Sequence, residues 1–250
     1  MAVVLGLLFV YDFVAGLAKV RADTAYAHGH DLLDLTPHHL ELTANHWLAG
    51  VPWLQDPAAY YYDLAHIDVT LGVFLLCYFL KPAGYRLARN ALVLINLAAL
   101  VVFWAYPVAP PRLLPGAGFT DVVADSGTWG AWEAGGAVAD RANEFGSMPS
   151  LHLAWATWVA LVVWRMTDRR ALRALGLLHV AITSVVVIYT GNHYAIDLLA
   201  GAALALIAWL AAQHWRSALT SLGWAHPRFT GTGASSRDGA DSKAEGPLHV

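Results

Sequence analysis

A histidine and an aspartate in the segment NHYAID are the residues of this chain whose types and spacing best suit chemistry. His193 and Asp197 lie one helical turn apart and share a face, so the carboxylate can accept a hydrogen bond from one imidazole nitrogen. The other nitrogen is then left as a nucleophile or a base. The pair predicts a catalytic site, and its alternative is a structural hydrogen bond that holds two helices together.

A second histidine and an arginine are placed to join this pair. His152 follows FGSMPS at the start of a long apolar run, and Arg112 follows two prolines in YPVAPPRLLP. A guanidinium on restricted backbone binds phosphate oxygens bidentately. Ser150 and Asn192, near two expected helix starts, add hydrogen-bond donors. Together these residues predict a site for an anionic, phosphate-bearing substrate.

A third histidine, His66 in YYYDLAHIDVT, is a further candidate for substrate binding. It lies near the external end of an apolar segment, the level at which His152 and His193 are also expected. A tyrosine-rich belt at the membrane interface explains the same sequence equally well.

Other classes of function also use histidines at membrane depth. Paired histidines between helices ligate haem, but His152 and His193 are expected together at one surface beside charged groups, which is unlike a haem site. Zinc bound by these two histidines and Asp197 is a second alternative, although the sequence has no HExxH pair. A transporter is a third, and the chain shows no interrupted spans in corresponding halves. We expect no metal and no cofactor.

The elements that must position these residues are membrane-spanning helices. The chain of 250 residues is 58% hydrophobic and only 13% charged, which is outside the range of soluble domains. We predict an all-α, polytopic membrane helical bundle with six transmembrane helices. The predicted spans are residues 2–18, 64–80, 91–106, 151–165, 172–189 and 195–215. A signal peptide is the alternative for the first span, but no basic residue precedes its apolar run.

The distribution of basic residues predicts how the spans are oriented. Lys and Arg concentrate in the connections 81–89 and 165–173, which the positive-inside rule assigns to the cytoplasm. Both termini are then cytoplasmic, and the active site with His152 and His193 is extracytoplasmic, on a plasma (inner) membrane. The formal net charge of −3 and the absence of a basic patch in the sequence exclude nucleic acid as a partner.

The segments outside the spans complete the predicted organisation. Residues 1–216 form one membrane catalytic domain with its core at 64–216, and residues 217–250 form a disordered cytoplasmic tail because they are poor in apolar residues. In the first external connection, Thr36 as a cap and Pro37 in the first turn predict a short helix lying on the membrane surface. Its expected apolar positions are Leu40, Ala44, Trp47, Leu48 and Val51, and its histidines His38, His39 and His46 are expected to be solvated.

These motifs resemble those of a known family. SMPSLH and GNHYAID are similar to the second and third signature motifs of the type-2 phosphatidic acid phosphatase superfamily. YPVAPPR resembles a feature of its inositol-phosphorylceramide-synthase-like, or inositolphosphotransferase-like, branch. Leu151 stands where the phosphatases have Gly, which also resembles that branch, and Val187 stands where they have a phosphate-binding Arg.

The resemblance implies a metal-independent enzyme that acts on lipid phosphates. It implies that His193 attacks phosphorus to form a phosphohistidine, that Asp197 orients His193, and that His152 protonates the leaving oxygen. Water as the acceptor gives a phosphatase, and a lipid hydroxyl gives a phosphotransferase. The missing Arg at Val187 favours the transferase. The expected partner is a lipid phosphate substrate in the membrane, and the sequence makes no prediction about protein partners.

Overall fold

The computed structural model describes residues 21–126 and 144–221, without the side chains of 215–221. In this part of the chain the secondary structure consists of helices and the turns that connect them. A π-helical turn, Tyr61–Ala65, joins the helices Pro52–Tyr60 and His66–Leu80, and a 3-10 turn, Pro111–Leu113, follows the helix Pro82–Ala105. No strand forms within these ranges, so the all-α prediction is confirmed for them. The helices are α1 (Ala22–Leu35), α2 (His38–Ala49), α3 (Pro52–Tyr60), α4 (His66–Leu80), α5 (Pro82–Ala105), α6 (Val122–Asp125), α7 (Leu151–Met166), α8 (Arg170–Tyr189) and α9 (Ala195–Ser221).

Four helical stretches of the described chain are long and apolar enough to cross a membrane. They contain the second, third, fifth and sixth predicted spans, and they run over Pro52–Leu80, Pro82–Ala105, Arg170–Tyr189 and Ala195–His214. The fourth predicted span is α7, which is apolar but has only 16 residues. The first predicted span, 2–18, and most of the predicted tail, 222–250, lie outside the described residues. The number six therefore stays a prediction.

Two helices begin well before their predicted starts. α5 begins at Pro82 rather than at residue 91, because proline suits the first helical turn and the residues after it, such as Leu87 and Arg89, favour helix. The basic residues that were expected in a loop therefore lie on the first turns of α5. The predicted span 64–80 likewise extends back through the π-helical turn to Pro52, since the tyrosine-rich segment continues the helix.

α7 is the central helix of the bundle, with α4, α5, α8 and α9 packed around it. Its Trp158 is fully buried, and the indole nitrogen donates to the Ala88 carbonyl of α5 at 2.9 Å. Alanines at the same contacts let the helices approach closely, as small residues do in membrane bundles. α7 is therefore packed mainly against other helices. The buried alanines of this core are Ala88, Ala91, Ala154, Ala205, Ala208 and Ala212.

The two helices that precede the bundle pack against the end where α7 and α9 begin. Gly29 of α1 makes a close approach, because a Cβ at this position would meet the Ala109 carbonyl oxygen at 2.8 Å. Asn45 of α2 is fully buried, donates to the carbonyls of Thr120 and Tyr189, and accepts from the Thr120 amide at 2.8 Å. These contacts fix α1 and α2 on that end of the bundle.

The face of α2 that packs on the protein differs from the predicted apolar face. Leu40 is 61% exposed and Trp47 is 53% exposed, whereas Glu41 and Asn45 are buried. Polar residues lie inward because they satisfy backbone groups of neighbouring segments, while Leu48 of the predicted apolar set is also buried; the placement of this helix on the membrane surface stays a prediction. Thr36 does not cap α2, because its hydroxyl donates to the Leu33 carbonyl and to Glu41. Of the three histidines, His38 and His39 are exposed, and His46 contacts the Gly118 carbonyl at 2.8 Å.

Candidate active site

The nucleophile candidate His193 is buried between two acceptors. Its Nδ1 lies 2.9 Å from the Ser147 carbonyl oxygen and 3.3 Å from Asp197 Oδ2. A carbonyl oxygen only accepts, so Nδ1 carries the ring hydrogen and Nε2 keeps its lone pair. The predicted pairing of His193 with Asp197 is therefore present, and the ring has the tautomer that a nucleophile at Nε2 requires.

Asp197 is fully buried and holds several donors on one oxygen. Its Oδ2 accepts from the Ser147 hydroxyl at 2.5 Å and from the Tyr194 amide at 3.0 Å, in addition to His193. Its Oδ1 has no hydrogen-bond partner among the described residues. Donors concentrated on Oδ2 hold the carboxylate in one orientation.

The turn between α8 and α9 brings His193 to the start of α9. Gly191 has a φ of 74°, a left-handed conformation that ends α8 and that glycine adopts without a Cβ penalty. The Ala195 amide at the start of α9 then donates to Glu41 Oε1 of α2 at 2.8 Å. Burial raises the pKa of the Glu41 carboxyl, while the bonds from Ala195 and Thr36 act in the opposite direction. An acidic side chain thus caps the helix that carries Asp197.

His152 meets His193 across the interface of α7 and α9. The two ring centroids are 5.6 Å apart at an angle of 67°. His66 lies on the other side of His152, with centroids 4.1 Å apart. The structure therefore brings all three predicted histidines into one continuous row at one end of the bundle.

Ser150 has a different position from the one expected of a phosphate ligand. Its hydroxyl caps α7 by accepting from the Leu153 amide at 3.3 Å, and its own amide donates to the Asp197 carbonyl at 3.1 Å. The side chain is fully buried. Ser150 thus fixes the start of α7 against α9, and its predicted part in phosphate binding stays a prediction.

Arg112 and Asn192 are joined to each other beside His193. Arg112 Nε donates to Asn192 Oδ1 at 2.8 Å, and its NH1 forms an ion pair with Asp121 at 2.6 Å. The Arg112 amide also donates to the Gly191 carbonyl at 2.9 Å. Asn192 Nδ2 donates to the Thr190 hydroxyl at 3.0 Å. Arg112 therefore braces the turn that carries His193, and its predicted contact with a phosphate stays a prediction.

The geometry gives little support to the metal and haem alternatives. No group of three or more His, Cys, Asp or Glu side chains in the described residues is arranged to hold a metal ion. The rings of His66, His152 and His193 lie too close to one another for a porphyrin to enter between them. The row of histidines fits acid–base and nucleophilic chemistry better.

Three positions of this site were not predicted from the sequence. Ser147 contacts both His193 and Asp197, Glu41 caps α9, and Tyr62 stacks on His152 with centroids 4.4 Å apart. The proximity of Ser147 to His152 within one motif was the one signal that could have indicated its role. Glu41 and Tyr62 reach the site only through the tertiary fold.

Comparisons with known proteins agree with this architecture. A family model described as the PAP2 superfamily matches residues 36–211. The chain is 27% identical over 184 residues to phosphoinositol dihydroceramide synthase of Bacteroides thetaiotaomicron. The aligned segment covers 63% of this chain and 60% of that protein. The crystal structure of Aquifex aeolicus LpxE superimposes with a TM-score of 0.51 at 17% identity, over 73% of this chain and 94% of that one.

The chain therefore belongs to the PAP2 superfamily. This confirms the family that its motifs indicated. The likeness to LpxE shows the fold, and the chain spans about 60% of the length of the synthase it matches. Its apolar helices agree with a membrane protein.

Replacing Ser147 by Ala is expected to lower turnover by roughly 10- to 100-fold. The change removes the hydroxyl that donates to Asp197 Oδ2, and a hydrogen bond to a charged group contributes about 1.5–3 kcal/mol. Steady-state kinetics on the purified variant measures the effect, which should appear mainly in kcat. The control is Ser184→Ala, which removes a hydroxyl bonded only within α8 and should leave kcat unchanged. Equal kcat values for the two variants would contradict the role of Ser147.

Replacing Arg112 by Lys is expected to lower activity by roughly tenfold or more although the charge is kept. An ammonium group cannot reproduce the guanidinium fork that binds Asn192 and Asp121 together. The turn that carries His193 then loses its brace. Arg89→Lys is the matched control, because Arg89 is exposed and bonds only to the neighbouring Asn90. A variant Arg112→Lys with the kinetics of this control would refute the bracing role.

Proposed function

We propose that the protein is an integral-membrane enzyme that transfers a phosphoryl or substituted phosphoryl group from a lipid phosphate through a phosphohistidine at His193. The observation that carries the proposal is the row formed by the imidazoles of His193 and His152 with the buried carboxylate of Asp197. Membership of the PAP2 superfamily supports the substrate class. The synthase of Bacteroides thetaiotaomicron supports a lipid phosphotransferase by its name.

Each residue of the row has one part in the first step. Nε2 of His193 attacks phosphorus, and the bond from phosphorus to the leaving oxygen breaks. His152 gives a proton to that oxygen, which would otherwise leave as a costly alkoxide. Asp197 and the Ser147 carbonyl hold Nδ1–H and stabilise the positive charge that forms on the ring.

The second step depends on the acceptor. A hydroxyl group or water gives its proton to His152 and attacks phosphorus, and the bond between phosphorus and Nε2 of His193 breaks. Water yields a phosphatase, and a lipid hydroxyl yields a phosphotransferase. The buried Val187 stands where the family's phosphatases have a phosphate-binding Arg, and this favours transfer to a lipid over hydrolysis. The name of the similar synthase supports an inositol phosphate as the transferred group. No metal or cofactor takes part in these steps.

The proposed orientation places the row at the extracytoplasmic face of the plasma (inner) membrane, with both termini in the cytoplasm. It rests on the Lys and Arg residues at the junction of α4 with α5, including the first turns of α5, and at the junction of α7 with α8. Both connections lie at the ends of helices opposite the histidines. Cysteine labelling at Gln55 and at Arg169 in intact cells tests this: only Gln55→Cys should react with a membrane-impermeant reagent, and labelling of only Arg169→Cys would reverse the orientation.

The reaction is tested with detergent-purified protein and radiolabelled phosphatidic acid, polyprenyl phosphate and phosphatidylinositol, each with and without a lipid hydroxyl acceptor. Label appearing in a new lipid identifies a transferase, and release of inorganic phosphate identifies a phosphatase. His193→Ala assayed beside the native protein should give neither product. Identical products from both proteins would overturn the proposal.

A further inference from the structure

We infer that the end of the bundle opposite the histidines has a second binding site, which takes the phosphate of an anionic phospholipid headgroup. The observation is a cavity of about 410 Å³ between the end of α7, the start of α8 and the later turns of α9. This volume lies within the range of about 300–1,000 Å³ that is typical of ligand pockets. The cavity is separate from the proposed active site, because His152 lies in the first turn of α7 and the cavity lies where α7 ends. Its lining residues are Leu161, Trp164, Arg165, Asp168, Arg173 and Trp209.

Two arginines line the cavity and keep hydrogen-bond donors for a ligand. Arg173 Nε donates to the Thr167 carbonyl at 2.8 Å. Its NH2 donates to the Trp164 carbonyl at 3.2 Å and to Asp168 at 2.6 Å. Within the described residues, no hydrogen bond or ion pair involves NH1 of Arg173 or the exposed guanidinium of Arg165. Guanidinium groups bind phosphate oxygens through short, charge-assisted hydrogen bonds, so these remaining donors suit a phosphate group.

Arg173 is held in place by the protein itself. Its two backbone partners lie at the end of α7, and its guanidinium carbon is 4.6 Å from the centroid of the Trp164 ring. A side chain that is already ordered loses little conformational freedom when a ligand binds. Asp168 lies between α7 and α8 with its side chain fully exposed, so its carboxylate can turn into water when a phosphate takes its place. Four arginines and this one aspartate lie between residues 165 and 173, and the segment therefore stays basic.

The apolar residues of the cavity favour a lipid over a soluble phosphate ester. Leu161 lies one turn before Arg165 on α7, and Trp209 belongs to the apolar stretch Ala195–His214, which is long enough to cross a membrane. The arginines are therefore at the level of the headgroups, and the apolar side chains are at the level where acyl chains begin. Basic pockets between transmembrane helices bind anionic headgroups. A phospholipid such as phosphatidylglycerol matches both parts of the cavity.

Photo-crosslinking of the full chain in phosphatidylcholine nanodiscs tests the site. The probe is phosphatidylglycerol with a diazirine near the glycerol end of one acyl chain, and phosphatidylcholine with the same diazirine is the reference probe. Labelled peptides are mapped after digestion with chymotrypsin, whose cleavage does not depend on arginine. We expect the anionic probe to label the segment around Trp164 or the segment around Trp209 far more than the reference probe does. Equal labelling of these segments by the two probes, or no label in either segment, would overturn the site. Label on peptides with His152 or His193 reports the proposed active site and is counted separately.

Arginine variants show whether the pocket or only the general charge attracts the lipid. Arg165→Gln should lower labelling of the cavity by the anionic probe about tenfold, because a charge-assisted contact is lost. Arg170→Gln is the matched control, because this exposed arginine is in the same basic segment and does not line the cavity; it should keep nearly native labelling. Asp168→Asn should raise labelling, because its carboxylate no longer competes for Arg173. Equal losses in the two arginine variants, or weaker labelling of Asp168→Asn than of the native protein, would overturn the site.

Glycerol 3-phosphate distinguishes a lipid from a soluble phosphate ester. It carries the phosphate but no acyl chains, so an excess of it should leave the labelling of the cavity almost unchanged. Complete displacement of the probe by glycerol 3-phosphate would assign the cavity to a soluble ligand and overturn the lipid. The proposed function is judged apart from this result, by the loss of product formation in His193→Ala.

Discussion

Replacing His193 by Ala is expected to reduce turnover of every lipid phosphate by at least about 10⁴-fold, because removing a nucleophile leaves only binding and electrostatic effects. The Nε2 that attacks phosphorus is lost, and Asp197 and the Ser147 carbonyl lose the ring that they orient. Kinetics with excess enzyme measures the chemical step and separates this loss from slow product release.

A structural cause for this loss is excluded with His193→Gln. Its side-chain amide can still donate to the Ser147 carbonyl, so the turn that precedes α9 keeps a partner. The variant should have native thermal stability and no turnover. Substantial turnover by His193→Gln would show that the imidazole is not the nucleophile.

Replacing Gly201 by Ala is the second change for which we expect a large effect. A Cβ at Gly201 in α9 would collide with the carbonyl oxygen and carbon of Ser150 at the start of α7. Backbone cannot give way as a flexible side chain does, so α7 and α9 must separate. Overpacking of this kind costs about 1–3 kcal/mol, and a misplacement of about 1 Å in an active site can cost about 10² in rate. We expect a lower unfolding temperature and a loss of activity of that order.

The matched control is the same substitution at Gly72. A Cβ at Gly72 in α4 would meet no atom within 4 Å, so Gly72→Ala should keep both stability and activity. Comparing the unfolding temperatures and the kcat values of the two variants separates the effect of the helix contact from the general effect of adding a methyl group. Equal values would show that the contact between α7 and α9 does not position the site.

The proximity of His193 to Asp197 could be predicted from the sequence because their spacing is local. Two residues one turn apart on a helix face need no knowledge of tertiary structure. His152 and His66 could be placed at the same end of the bundle because the alternation of spans across a membrane fixes which ends lie together. The alternation of spans does not predict which side chains touch. The ring stacking of Tyr62 on His152 depends on a π-helical turn, for which the sequence carries no recognised pattern.

The contacts that hold the site in place were beyond sequence reasoning because they join distant segments. Glu41 caps the helix that begins at Ala195, and Asn45 bonds to Thr120 and Tyr189. Their segment was predicted only as a short helix lying on the membrane surface. Burial of polar residues is favoured here only because partner groups from the turns around α9 meet them, and those partners are known only once the helices are packed.

The most direct test of a phosphohistidine at His193 is to trap it. Enzyme mixed with donor lipids labelled with ³²P at the phosphate, in the absence of an acceptor, is quenched in alkali, in which phosphohistidine is stable, and is digested for mass spectrometry. The account predicts label on the peptide that contains His193, released by mild acid, formed as fast as the first turnover and absent from His193→Ala. Label on a different residue, or a first turnover with no label on the protein, would contradict it.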